Sequence, residues 1–128
     1  MEGKARDEAP HILIIDDTED NREVYVQFFR HQGWRVSTAE DGIEGLRVAS
    51  EELPSLIVLD LGLPKMDGWQ VAEHLKANAA TRHIPIIACT GHSGVELKKR
   101  ALAAGVVDYV IKPCLPADLV ARVKRHLG

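Results

Sequence analysis

Leu56-Ile57-Val58-Leu59 is an uninterrupted apolar run that ends in an acid, Asp60, and then in Leu61-Gly62-Leu63-Pro64. A short run of this kind fits a strand buried on both faces, as in a parallel sheet covered by helices. The acid falls at the C-terminal end of the strand, where open α/β sheets place their ligands. Gly62 permits close backbone approach, and Pro64 with Asp67-Gly68 stops the strand and turns the chain. A carboxylate at the mouth of a buried strand costs free energy unless something pairs with it, so the rest of the chain must supply that partner.

A second run, His11-Ile-Leu-Ile-Ile-Asp16, ends in acid too and is followed by another, Asp17. From about Thr18 to Gln32 the period becomes helical. Asp17 or Thr18 suits the cap, Glu19 and Asp20 the positive end, and Gly33 the stop. Val24 and Phe28 fall on one face of that helix, flanked by Tyr25 and Phe29. Trp34–Ala39 reads as a strand, and Asp41-Gly42 turns into a helix of roughly Ile43–Glu51 with Ile43, Leu46 and Ala49 inward. After the central strand comes a helix over Gly68–Ala79 (Val71, Ala72, Leu75 apolar), then a strand over Ile84–Cys89 and a loop over Thr90–Gly94. A helix over Val95–Ala104, a strand over Val106–Ile111 and a helix over Ala117–Leu127 complete the chain. Five strands alternating with five helices through short connections imply an α/β, doubly wound, five-stranded parallel sheet. The expected order is 2-1-3-4-5, flavodoxin-like, with its switch point between strands 1 and 3.

With 128 residues, 45% of them hydrophobic, the chain makes one ordinary domain over 11–128, preceded by a flexible lead-in over 1–10. A net charge of −3 gives no basic excess, so no direct nucleic-acid partner is expected. The longest aliphatic runs are too short to span a bilayer, and residues 1–10 lack the apolar run of a signal peptide, so a cytoplasmic protein is expected. Cys89 and Cys114 match no metal spacing and read as two small, partly buried residues.

The strand ends carry Asp16 and Asp17, Asp60, Thr90 and Lys112. Since strands 1 and 3 are neighbours, three carboxylates converge. At ~4 Å and an effective dielectric of ~20 each like-charged pair costs roughly 4 kcal/mol, so the cluster takes up protons or binds a cation. Hard oxygen ligands with a carbonyl from the Gly62 region suit Mg²⁺. A hydroxyl and an ammonium suit phosphoryl oxygens. The chemistry indicated is phosphoryl transfer to Asp60, giving an acyl phosphate. One Asp, one Thr or one Lys alone would read as a cap, a turn or a surface residue; five at one end of one sheet do not.

These pieces resemble the receiver domain of two-component response regulators, in particular single-domain, chemotaxis-regulator-like proteins, from about Ile12 to Leu127. They are Ile-Ile-Asp-Asp at 14–17, Leu-Asp-Leu-Gly-Leu-Pro-Lys-Met-Asp-Gly at 59–68, Thr-Gly at 90–91 and Tyr-Val-Ile-Lys-Pro at 109–113. The resemblance implies that Asp60 is the phosphoacceptor, and that Asp16, Asp17, Asp60 and the Gly62 carbonyl hold Mg²⁺. It further implies that Thr90 and Lys112 bind phosphoryl oxygens, that Thr90 and Tyr109 form the switch, and that the Lys112–Pro113 peptide is cis. It implies a histidine kinase or histidine phosphotransfer protein as donor, since the six histidines show no paired ligand spacing. Output is expected through helix 4, strand 5 and helix 5, which carry Lys98, Lys99, Arg100, Arg122, Lys124 and Arg125, onto a protein effector. The expected state is a monomer or a weak phosphorylation-dependent dimer. The domain is expected to signal, catalysing only its own phosphorylation and dephosphorylation.

Departures from the commonest pattern are Gly91 for alanine, Gly62 and His92 at positions that influence phosphoryl lifetime, and Cys114-Leu115 where an aromatic is common. Asn21-Arg22 resembles receivers of hybrid kinases. A dehalogenase-type phosphatase would need a second Asp where Gly62 stands, and an FMN binder a Ser/Thr/Gly-rich loop where Asp17-Thr18-Glu19-Asp20 stands. The alternatives are a phosphate-independent interaction module and a receiver segment of a hybrid histidine kinase.

Overall fold

The computed structural model describes residues 9–63, 65–91 and 95–127. Pro64, His92, most of the proposed lead-in, most of the loop after Thr90, and the Lys98 side chain lie outside the described residues. The order of elements is β1 (His11–Ile15), α1 (Glu19–His31), β2 (Arg35–Ala39), α2 (Gly42–Glu52), β3 (Leu56–Asp60), α3 (Gly68–Ala77), β4 (Ile86–Thr90), α4 (Val95–Ala103), β5 (Asp108–Ile111) and α5 (Pro116–Leu127). All five strands run parallel in the order β2-β1-β3-β4-β5, the arrangement the alternating pattern implied.

Period-two alternation sorts the strand residues onto two cores. Leu13, Ile15, Ile57, Leu59, Ile86 and Ala88 face α2, α3 and α4, where Val48, Val71, Leu75 and Ala101 cover them. Ile12, Ile14, Leu56, Val58, Ile87 and Cys89 face α1 and α5, under Tyr25, Phe29, Leu119 and Val123. Every residue of β1, β3 and β4 is buried, so each ends with its polar residue at one rim of the sheet.

Two helix faces differ from those the periodicity suggests. Val24 and Phe28 are each 41% exposed, and Tyr25 and Phe29 form the buried stripe of α1 instead. Both stripes are apolar, so spacing alone left the phase open. Aromatic packing decides it: Tyr25 and Phe29 stack at 6.3 Å, and Phe29 meets Trp34 edge-on at 5.5 Å. In α2, Ile43 is 59% exposed, and the inward stripe is Gly42, Gly45, Val48 and Ala49. A Cβ on Gly45 would come within 2.6 Å of Ile15 Cδ1. The close approach of α2 to the sheet at Gly45, and to Val71 and Met66 at Gly42, therefore needs glycines on the contact stripe, which hides that stripe from a hydrophobicity reading.

Element ends differ slightly from the expected ones. Trp34, Ile84-Pro85 and Val106-Val107 stand outside the strands, whereas Thr90 closes β4. Asp67 caps α3 in a full capping box with Gln70, and Asp41 Oδ1 accepts from the Glu44 N–H at 2.8 Å at the start of α2. Thr18 occupies the cap position of α1, but its hydroxyl makes no capping bond; the Asp16 carboxylate takes up the Thr18 N–H instead.

Candidate functional site

β1 and β3 lie side by side at the point where the strand order reverses, which brings Asp16 and Asp60 to one crevice. Both are buried, while Asp17 is exposed on the solvent side. Carboxylate oxygens of the three all lie within 4.8 Å of one another.

Each buried carboxylate is held twice. Asp16 Oδ1 accepts from the Thr18 N–H at 2.8 Å and Asp60 Oδ1 from the Gly62 N–H at 2.9 Å. Their Oδ2 atoms share the Lys112 ammonium, at 3.4 Å from Asp16 and 3.2 Å from Asp60. Lys112 reaches them from the end of β5, where its own N–H donates to the Thr90 carbonyl at 2.7 Å. Burial lowers the Lys112 pKa, but the Asp16 and Asp60 charges outweigh it and hold the group above its usual value of 10.5, so it remains an ammonium at neutral pH. Buried Cys89 sits beside the cluster, and its thiol is pushed up to about 12, chiefly by burial; it is a packing residue, as expected of it.

Thr90 is buried at the end of β4, next to β3. Tyr109 is half-buried on β5, in register with Ala88 and packed against the α2–α4 core. The Lys112–Pro113 peptide is cis. Gly62 is exposed at the rim, its N–H committed to Asp60. The loop after β3 folds back on the strand, with the Gly68 N–H donating to the Leu61 carbonyl at 3.2 Å. A Cβ on Gly68 would come within 2.5 Å of Leu61 Cα and 2.7 Å of the Asp60 carbonyl oxygen. The acidic loop after β1, the loop after β3 and Lys112 thus surround one carboxylate, Asp60.

The sequence model of the response regulator receiver domain matches residues 12–124. The chain belongs to this family. Receiver domains are signalling domains of two-component systems that work with histidine kinases and downstream effectors, and they typically bind Mg²⁺. The transcriptional regulatory protein PrrA of Mycobacterium tuberculosis is 39% identical over 119 residues, 93% of this chain and 50% of that protein. The response regulator PleD of Caulobacter vibrioides is 37% identical over 113 residues, 88% of this chain and 25% of that protein. The chain thus spans half or less of the length of these relatives.

Among solved structures, the chemotaxis protein CheY4 of Vibrio cholerae superposes with a TM-score of 0.88 at 25% identity, covering 92% of this chain and 98% of that one. The receiver domain of the sensor histidine kinase PA1611 of Pseudomonas aeruginosa superposes with a TM-score of 0.85 at 32% identity, covering 94% of this chain and 98% of that one. Its structure holds a magnesium ion in the active-site cleft. Membership of the receiver family favours phosphoacceptor signalling over a phosphate-independent interaction module. Among the described residues no helix is long and apolar enough to cross a membrane.

The donor set here fits a hard divalent cation: three carboxylates at one rim, two buried and preorganised by backbone amides, one open to solvent. Two features escaped sequence reasoning. Arg22 donates to the Asp16 carbonyl at 2.7 Å; a cation in the first turn of a helix, against the helix dipole, was the available signal. Asp108 binds Arg122 at 2.6 Å and His126 at 3.0 Å, fastening α5 to the edge strand β5. Arg122 is therefore engaged within the fold by its ion pair to Asp108, whereas Lys99, Arg100, Lys124 and Arg125 are exposed.

Proposed function

We propose that Asp60 is the phosphoacceptor of this receiver domain and that it takes its phosphoryl group from the phosphohistidine of a histidine kinase or histidine phosphotransfer protein. The observation that carries the reading is the meeting of Asp16, Asp17 and Asp60 within 4.8 Å, with one lysine on both buried acids. Asp16, Asp17, Asp60 and the Gly62 carbonyl would hold Mg²⁺. When bound, that ion supplies the positive charge that lets a phosphoryl group approach three carboxylates.

The chain's own residues carry the rest. One Asp60 oxygen attacks phosphorus as the donor's P–N bond breaks, and that electron pair stays on the imidazole nitrogen. The Gly62 amide fixes the rotamer of Asp60. The Lys112 ammonium offsets the Asp60 charge in the resting state and turns to the phosphoryl oxygens, joined by the Thr90 hydroxyl. Hydrolysis of the acyl phosphate resets the domain, so its catalysis is confined to its own phosphorylation and dephosphorylation.

A phosphoryl group adds roughly −1.5 to −2 charges at the rim. Thr90 closes on it, the segment that begins at Gly91 follows, and Tyr109 turns inward from β5. A shift from mostly off to mostly on takes on the order of 5 kcal/mol of differential stabilisation. The responding surface is α4, β5 and α5, and the partner a protein effector. The domain acts in the cytoplasm, as a monomer or a weak phosphorylation-dependent dimer, and with its net charge of −3 makes no direct nucleic-acid contact.

Incubation with Mg²⁺ and a small acyl phosphate, followed by intact-mass measurement, tests the assignment. Wild-type protein gains one phosphoryl group and Asp60→Asn does not; gain by the variant, or none by the wild type, refutes it. Beryllofluoride in place of phosphate, read through the environment of Tyr109, tests the switch.

A further inference from the structure

Resting on the reading of Asp16, Asp17 and Asp60 as holders of a divalent cation, we propose that Arg22 is a positioning residue for that metal, and that it acts on Asp17 through the Asp16 main chain. The two buried carboxylates have anchors on their own oxygens: the Thr18 and Gly62 amides and the Lys112 ammonium. Asp17 is exposed, yet one of its oxygens lies within 4.8 Å of both. An exposed carboxylate held that close to two others, against their repulsion, needs its backbone fixed.

Arg22 Nη1 supplies the fixing, donating to the Asp16 carbonyl at 2.7 Å. That oxygen belongs to the peptide unit leading into Asp17. Because the unit is planar, holding its oxygen fixes the direction in which the Asp17 Cα leaves it. On the other side of Asp16, its N–H donates to the Ala39 carbonyl at 3.1 Å. The main chain beneath the two acids is thus tied to α1 on one side and to β2 on the other.

The alternative use of Arg22 is weak. Its Nη2 lies 4.0 Å from Glu40 Oε2, and the Glu40 side chain is 69% exposed against 16% for Arg22. A guanidinium so largely withdrawn from water, in the helix turn where a cation is least favoured, directs its short hydrogen bond to a main-chain carbonyl.

Charge and positioning act in opposite directions, which makes the role measurable. A guanidinium acting as a charge repels Mg²⁺, so its removal tightens binding. A guanidinium acting as a strut preorganises the ligands, and its removal weakens binding, typically 10–100-fold for residues that orient metal ligands.

The experiment is a calorimetric Mg²⁺ titration of the whole chain as wild type, Arg22→Met, Arg22→Lys and Glu40→Gln, with a melting curve of each in EDTA. Methionine keeps the apolar stem without charge or donors, and its Mg²⁺ Kd is expected to rise about tenfold. Lysine keeps the charge but not the planar fork, and its Kd rises less; Glu40→Gln leaves it unchanged. A lower melting temperature in EDTA with an unchanged Kd would make Arg22 a mere brace and overturn the proposal. Tighter binding by either folded Arg22 variant, or an equal effect of Glu40→Gln, overturns it as well. If the methionine variant does not fold, the lysine variant alone decides. Absence of Mg²⁺ binding by the wild type refutes the metal reading itself, a failure distinct from that of the Arg22 variants.

Discussion

Replacing Asp60 by Asn should stabilise the metal-free domain, and the size of the effect follows from the site. Asp16 and Asp60 carboxylate oxygens are no more than 4.8 Å apart, a repulsion of about 3.5 kcal/mol at an effective dielectric of 20. Lys112, 3.2 Å from Asp60, returns about 5 kcal/mol on the same scale. Against that small balance stands the desolvation of a buried carboxylate, an effective penalty of about several kcal/mol. The Asp60 charge is therefore a net burden, and Asn keeps its shape and an oxygen for the Gly62 amide. Asp60→Asn should gain about 1–3 kcal/mol in urea unfolding followed by circular dichroism in EDTA, the trade of stability for function expected at such a site.

Saturating Mg²⁺ should close the gap. A ligand at 100 times its Kd adds about 2.7 kcal/mol to the protein that binds it, and the variant has lost one of the three carboxylates. A less stable variant in EDTA, or equal stabilisation of both proteins by Mg²⁺, would refute the reasoning.

Gly68→Ala should cost about 1–3 kcal/mol in the same assay, because its Cβ would meet Leu61 and the Asp60 carbonyl oxygen. Gly91→Ala, with nothing within 4 Å of the new Cβ, should stay within about 0.5 kcal/mol. Burial raises the Asp108 pKa, but the Tyr109 amide, His126 and Arg122 outweigh it and hold it below 3.8. Its stabilisation is then complete above the ordinary carboxylate pKa and is lost as the pH falls through the depressed folded value. Asp108→Asn should therefore cost about 1–2 kcal/mol near neutral pH, and the difference from wild type should vanish on acid titration of the unfolding free energy. Arg100 stands over the Trp69 ring at 4.3 Å, joining α4 to α3; Arg100→Ala should cost about 0.5–1 kcal/mol and change the Trp69 emission.

The fold was legible because its signals are redundant. Uninterrupted apolar runs, a turn residue at nearly every boundary and five repeats of one alternation all point to a parallel sheet. The acid, hydroxyl and lysine positions were legible because each is the last residue of a strand or lies just beyond one, so topology alone brings them to one rim. Helix phase was less legible. In α1 two adjacent apolar stripes compete, and only the Phe29–Trp34 contact separates them. In α2 the contact stripe begins with two glycines, which carry no hydrophobic signal. Arg22 escaped because its partner is a main-chain carbonyl, a group that sequence does not mark.

The central claim is that the strand ends converge on Asp60 so that it carries a phosphoryl group. Borohydride reduction of the acyl phosphate, followed by peptide mapping, tests it most directly. The label should fall on Asp60 alone and be lost in EDTA. Label on Asp16 or Asp17, or label formed equally well without Mg²⁺, would contradict it.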